Sequence, residues 1–124
     1  MNVQNLIPVG QYIEKFNTLT GQALPCGVIY RSSGLLAHIK RRHPELLHRF
    51  HDIPAVIEAP DYIGSNPKEP NSIELVKQLD GNVMVCVKLD MDDDYLYVAT
   101  VFEITDAKLQ HRIKSGRLKN VDFC

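Results

Sequence analysis

The second half of the chain constrains the fold most. Residues 72–79 read SIELVKQL, with Ile73, Leu75 and Leu79 alternating onto one face. Asp80-Gly81-Asn82 follows, a sequence suited to a tight hairpin turn. Val83, Val85, Val87 and Leu89 then alternate with Met84, Cys86 and Lys88. Period-two patterning on both sides of a glycine-containing turn predicts two antiparallel strands. An acidic turn over 91–94 leads to a third strand. There Leu96, Val98, Phe102 and Ile104 are expected to alternate with Tyr95, Tyr97, Ala99 and Val101. The result is a meander with one apolar face that another layer must cover.

Two polar residues interrupt those stripes. Lys77 shares the parity of Ile73, Leu75 and Leu79, and Thr100 shares that of Val98 and Phe102. Burying a polar group without a hydrogen bond is costly, so such breaks often mark functional positions. The plainer accounts are a strand-end lysine reaching to water and a threonine that suits any strand.

The first half supplies the cover. Residues 9–20 are expected to form an amphipathic helix with Tyr12, Ile13, Phe16 and Leu19 on its apolar side. Gly21, Pro25 and Gly27 mark a loop, and Val28–Tyr30 a short strand. A helix over 33–43 carries Leu35, Leu36 and Ile39 at helical spacing, with Ser32 and Ser33 as candidate N-caps. Pro44 disfavours helical backbone at His43 and restarts the chain as PELLHRFHDI, and Pro54 opens a further short helix or turn. Residues 60–72 read as a loop with little regular structure beyond Tyr62 and Ile63. A last helix, AKLQHRIKS, starts at a Thr105 or Asp106 cap and stops at Gly116. This order gives an α+β fold: N-terminal helices packed on a C-terminal antiparallel β-sheet, a meander, with a C-terminal helix.

The chain of 124 residues is long enough for a hydrophobic core without staples. Cys26, Cys86 and Cys124 are odd in number, widely spaced and without a CxxC, which argues against a disulfide framework and against zinc. Reduced thiols and the lack of a signal-peptide pattern at the N-terminus suggest a cytoplasmic protein, and no run is apolar enough to predict a membrane partner. The net charge of −1 weighs against strong nonspecific nucleic-acid binding. Four of the acids, however, fall in one turn (Asp90, Asp92, Asp93 and Asp94). Basic residues gather at 40–42 and between Lys108 and Lys119, so a local basic surface is compatible with that charge.

The stretch GLLAHIKRRHPE, residues 34–45, carries the clearest chemistry. It puts His43 at a helix end on the edge of the core, with His38, Arg41 and Arg42 on another side of the same helix. Histidine as a residue type titrates near neutrality, so it is the common choice for acid–base work, although a histidine on an apolar stripe is more often a packed core residue. Lys40, Arg41 and Arg42 could equally be a solvated face. His48 and His51 raise the question of metal, but no HExxH or similar pattern exists. Neither a metal nor another cofactor is expected. Histidine, cations, a strand lysine and a strand threonine together suit cleavage of RNA by its own 2′-OH. A base takes the hydroxyl proton, an acid protonates the leaving 5′-oxygen, and cations stabilise the phosphorane.

The runs HIKRRHPE, IPAVIEAPDYIG, NSIELVKQL, VMVCVKLD and YVATVFEI resemble the small phage-associated nuclease domains of the Barnase–EndoU–colicin–RelE (BECR) group. The resemblance covers roughly residues 26–118. It implies one BECR-like nuclease domain over 1–124 and a metal-independent endoribonuclease of toxin or effector type, associated with phage or mobile elements. Carried over, it implies His43, Lys77, Thr100 and His38 as catalytic residues. It also implies that Arg42 and Lys77 hold the phosphate, and beside them Arg41, Lys88 and Arg112 are candidate substrate-binding residues. The implied partners are RNA, with tRNA a candidate, and a cognate antitoxin or immunity protein. The RNase reading predicts that His43, Arg42, Lys77 and Thr100 lie within one pocket. If Lys77 points to solvent and His43 lies away from any cleft, a non-enzymatic binding module (antitoxin, immunity or regulatory partner) is favoured. A small-molecule transferase is a weaker third reading, since no glycine-rich cofactor loop is present.

Overall fold

The computed structural model describes residues 5–122. In chain order its elements begin with β1 (Leu6–Tyr12), α1 (Glu14–Thr20), β2 (Gly27–Ser32) and α2 (Leu35–Arg42). A 3-10 helix (Pro44–Asp52), α3 (Ile53–Glu58) and β3 (Tyr62–Gly64) follow. Next come β4 (Ser72–Gln78), β5 (Asn82–Asp90), β6 (Tyr95–Ile104), α4 (Asp106–Lys114) and β7 (Leu118–Asn120).

The expected meander is the centre of the sheet. β4 pairs antiparallel with β5 from Ser72↔Lys88 to Gln78↔Asn82, and β5 with β6 from Asn82↔Ile104 to Asp90↔Tyr95. Asp80 and Gly81 both adopt positive φ, 49° and 109°, as a tight hairpin turn requires. Arg49 fastens that turn from the 3-10 helix. Its Nη1 donates to the Leu79 carbonyl at 2.7 Å and its Nη2 to the Asp80 carbonyl at 2.6 Å.

The sheet is wider than the meander. It has seven strands in the order β1-β2-β6-β5-β4-β3-β7. β2 joins β6 in parallel over two positions only, Ile29↔Leu96 and Tyr30↔Tyr97. The segment 9–20 is not one helix. Its first part is strand β1, an edge strand that tolerates Pro8 and shifts register between Pro8 and Gly10. The helix begins only at Glu14. The loop 60–72 likewise yields β3, which bridges β4 and β7.

Local details also differ from expectation. Neither Ser32 nor Ser33 caps α2; Gly34 holds the N-cap position without a side-chain bond. His43 ends the helix as Pro44 dictates, at φ −141° and ψ 61°. PELLHRFHD is a 3-10 helix, whose three residues per turn line up Leu47, Phe50 and Ile53 toward the core. The Thr105 cap holds: its hydroxyl accepts from the Lys108 amide at 3.1 Å.

Each sheet face has its own core. Ile73, Leu75, Val83, Val85 and Val87 pack with Phe16, Ile39, Phe50 and Val56 from the N-terminal helices. On the opposite face, Val76, Met84, Ile104 and Leu118 pack around Leu109 of α4. The C-terminal helix therefore lies across the sheet from the others. Of the three cysteines, Cys26 and Cys86 are free thiols and Cys124 lies outside the described residues. No helix among the described residues is long and apolar enough to cross a membrane.

Candidate nucleic-acid interface

α4 covers only one end of its sheet face. Beyond it lies an open area built by β2, β6, β5 and β4. A β-bulge sets its content. The β5–β6 ladder slips between Cys86 and Val87, so that Cys86 pairs with Thr100 but Val87 pairs with Val98. Ala99 is the extra residue, and it reverses the parity of everything after it. Thr100 consequently faces the same way as Cys86, and Val101 takes the core position. The expectation that Thr100 shares the face of Val98 fails for this reason.

The open face carries three kinds of group. Tyr30, Tyr95 and Tyr97 form an aromatic row. The Tyr30 and Tyr95 centroids are 6.2 Å apart at 83°, and those of Tyr95 and Tyr97 are 6.0 Å apart at 57°. Lys88 is the register partner of Tyr97; its Nζ lies 3.2 Å from a Glu69 carboxylate oxygen. Arg112 leans in from α4, with Nη1 3.9 Å from Glu74 and 3.4 Å from the Met84 sulfur. It thus combines a long ion pair with a weak sulfur contact, which leaves its guanidinium capacity for another acceptor.

Beneath these cations sits Glu74, 3% exposed. Arg117 grips it with two bonds, Nε to Oε1 at 2.9 Å and Nη2 to Oε2 at 2.8 Å, and this pairing raises the Arg117 pKa further. Such bidentate contact is what a buried carboxylate needs. Gly64 makes room for it, since a Cβ there would run into the Arg117 carbonyl. Burial, followed by the Glu74 charge, pushes the Cys86 thiol up to about 12. The thiol is therefore protonated near neutrality, which argues against a nucleophilic role.

The acidic turn closes the other end. The Asp90 carboxylate accepts from the amides of Asp92 and Asp93, both at 3.0 Å, and these bonds lower its pKa. Burial, and then Asp90, raises the pKa of the Tyr95 hydroxyl.

His38 and His43 lie along the β6 side of the α2 and 3-10 helices. His38 lines a 450 Å³ cavity with Ser32, Gly34, Leu35, Tyr97, Val98 and Ala99. Tyr97 belongs both to that lining and to the open face. His43 lines a separate 540 Å³ depression with Glu45, Leu46, His48, Phe102 and Glu103. Its Nδ1 is 3.6 Å from Glu45, and the neighbouring His48 contacts Glu103 at 2.8 Å. Arg41 and Arg42 are exposed at the end of α2.

The expected residues thus do not occupy one pocket. Thr100, Lys88 and Arg112 share the open face, His38 stands at its margin, and His43 lies further along β6. Lys77 is on the helix side of the sheet, where its Nζ donates to the Ala59 carbonyl at 2.7 Å and ties down the end of α3. Among the described residues no group of three or more His, Cys, Asp or Glu is arranged to hold a metal. Sequence reading missed Glu74, Arg117 and the tyrosine row. Glu74 had a signal, a charge in mid-strand between Ile73 and Leu75. Arg117 had none, because its partner is 43 residues away.

Comparison with known proteins agrees with the motif resemblance. Residues 8–111 of the 124 match the family described as phage-Barnase-EndoU-ColicinE5/D-RelE like nuclease3. No curated protein and no solved structure matches the chain.

Proposed function

The chain belongs to this phage-associated nuclease family, and on that premise we propose that it is a metal-independent endoribonuclease. One observation carries the reading. Tyr97, which lines the His38 cavity, also lies on the sheet face that bears Thr100, Lys88 and Arg112. The cations there meet two paired carboxylates, Glu74 and Glu69, with the acidic turn at the far end, and among the described residues no group of three or more His, Cys, Asp or Glu is arranged to hold a metal. A two-metal nuclease needs clustered acidic ligands instead.

In this mechanism His38 removes the 2′-OH proton, and the 2′-oxygen attacks phosphorus as the P–O5′ bond breaks. His43, further along β6, is the candidate for returning a proton to the 5′-oxygen. Lys88 and Arg112, with Arg41 and Arg42 in the last turn of α2, offset the phosphorane charge, and Thr100 orients a phosphate oxygen. Lys77 has no part, since its ammonium already serves Ala59. The products are a 2′,3′-cyclic phosphate and a 5′-hydroxyl. A toxin or effector role, held in check by an antitoxin or immunity protein, fits this activity, with tRNA among the candidate substrates.

The acidic turn favours a second reading, a non-enzymatic binding module of the same fold. The test is incubation of the protein with an RNA oligonucleotide and with its 2′-O-methyl counterpart. Cleavage of the first alone supports the endoribonuclease. Cleavage of both rejects the 2′-OH mechanism, and cleavage of neither moves the reading to the binding module.

A further inference from the structure

We infer that Tyr30, Tyr95 and Tyr97 form a stacking platform for unpaired nucleobases, which restricts the substrate to single-stranded RNA. The inference rests on the nuclease reading above and specifies its substrate class. All three rings are half-buried on the open face. Aromatic side chains beside cations are the usual means of holding a single strand, because every base has a π-face and every nucleotide a phosphate.

The spacing decides how bases are held. Inserting a base between two rings needs roughly 7 Å, twice the contact distance of carbon atoms. The centroids are 6.2 and 6.0 Å apart and the rings are steeply inclined. Bases therefore stack on the outer surface of the row and are not sandwiched within it.

Charge decides which way the strand lies. Asp90–Asp94 borders the row at Tyr95, and Asp90 is that residue's register partner. Lys88 stands opposite Tyr97, two positions along β6 from Tyr95. The phosphates consequently run on the Lys88 and Arg112 side, toward Thr100 and the His38 cavity. A duplex would hide its base faces and bring a second phosphate chain against the acidic turn. The same acids would suit a basic protein segment, but the cations on this face favour RNA.

The test measures binding of a fully 2′-O-methylated oligonucleotide of about ten residues, which lacks the hydroxyl needed for cleavage. Anisotropy of a labelled strand reports affinity. The chain has no tryptophan, so its emission reports the tyrosines directly. The single strand is expected to bind at least about tenfold more tightly than the same strand annealed to its complement, and to quench tyrosine emission. Tyr97→Leu and Tyr30→Leu should each weaken binding about tenfold, within the range of losing one stacked base. Tyr97→Phe, which keeps the ring, should bind within about threefold of wild type, since stacking needs no hydroxyl. Equal binding by the leucine variants, in a protein that still cleaves RNA, overturns the platform and leaves the nuclease reading intact. Failure of the wild type both to bind and to cleave overturns both. Quenching by a lysine-rich peptide and not by RNA assigns the face to a protein partner and overturns the platform.

Discussion

Thr100 stands directly opposite Cys86, one position past the slip in the β5–β6 ladder. That slip places a hydroxyl on the open face beside Lys88 and Arg112. The Thr100 hydroxyl has only a 3.5 Å contact to the Val101 carbonyl, at the outer limit of a hydrogen bond. Thr100→Val should therefore change stability by less than about 1 kcal/mol. RNA cleavage should fall about tenfold if the hydroxyl orients phosphate. Paired thermal melts and cleavage rates check this, and a stable variant with unchanged rates removes Thr100 from the site.

Arg49 is a structural cation. It is 8% exposed and serves two turn carbonyls, Glu103 at 3.0 Å and Asp52 at 3.2 Å. Arg49→Lys loses the fork that spans these acceptors. We expect both Arg49→Lys and Arg49→Ala to destabilise, the alanine by about 3 kcal/mol. Urea denaturation measures this directly.

The Arg117–Glu74 pair should be strongly non-additive. Arg117→Met leaves a buried carboxylate with only the distant Arg112, at an expected cost of about 2–3 kcal/mol. This lies at or below the roughly 3–5 kcal/mol of a fully buried broken pair, because the Arg117 side chain is 26% exposed. Glu74→Met combined with Arg117→Met should recover most of the loss. A double-mutant cycle with no coupling would contradict the pairing.

The raised Cys86 pKa predicts an alkaline stability loss. Above the ordinary thiol value of 9.0 the unfolded chain gives up this proton while the folded chain keeps it, up to about 12. The unfolded state then binds fewer protons, so stability falls with pH, at most about 1.4 kcal/mol per pH unit. Burial also raises the Tyr12 pKa, which adds a loss above its ordinary 10.0. Cys86→Ala should thus flatten the stability profile most clearly between pH 9 and 10. Identical profiles for variant and wild type would contradict the assignment.

The sequence is most legible where local signals agree. Alternation on both sides of Asp80-Gly81 locates the hairpin, and the Thr105 cap and Gly116 bracket α4. β1 is hidden because Pro8 and Gly10 blur its pattern and its partner β2 lies beyond α1. β3 and β7, three residues each, exist only through pairing with distant strands. The bulge at Ala99 is invisible in alternation, yet it decides where Thr100 points. For the site, the cation types were readable, but not the split that puts Lys77 on one sheet face and Lys88 on the other.

In the proposed mechanism His38, at the margin of the open face, transfers the proton without a metal. The most direct measurement is the rate of RNA cleavage in excess EDTA by wild type, His38→Gln and His43→Gln, with products examined for 2′,3′-cyclic phosphate. Cleavage is expected to resist EDTA and to leave cyclic ends, with a loss of at least about a hundredfold for His38→Gln, the scale of a missing acid–base group, and a smaller loss for His43→Gln. Cleavage abolished by EDTA, or full activity in His38→Gln, would rule this mechanism out.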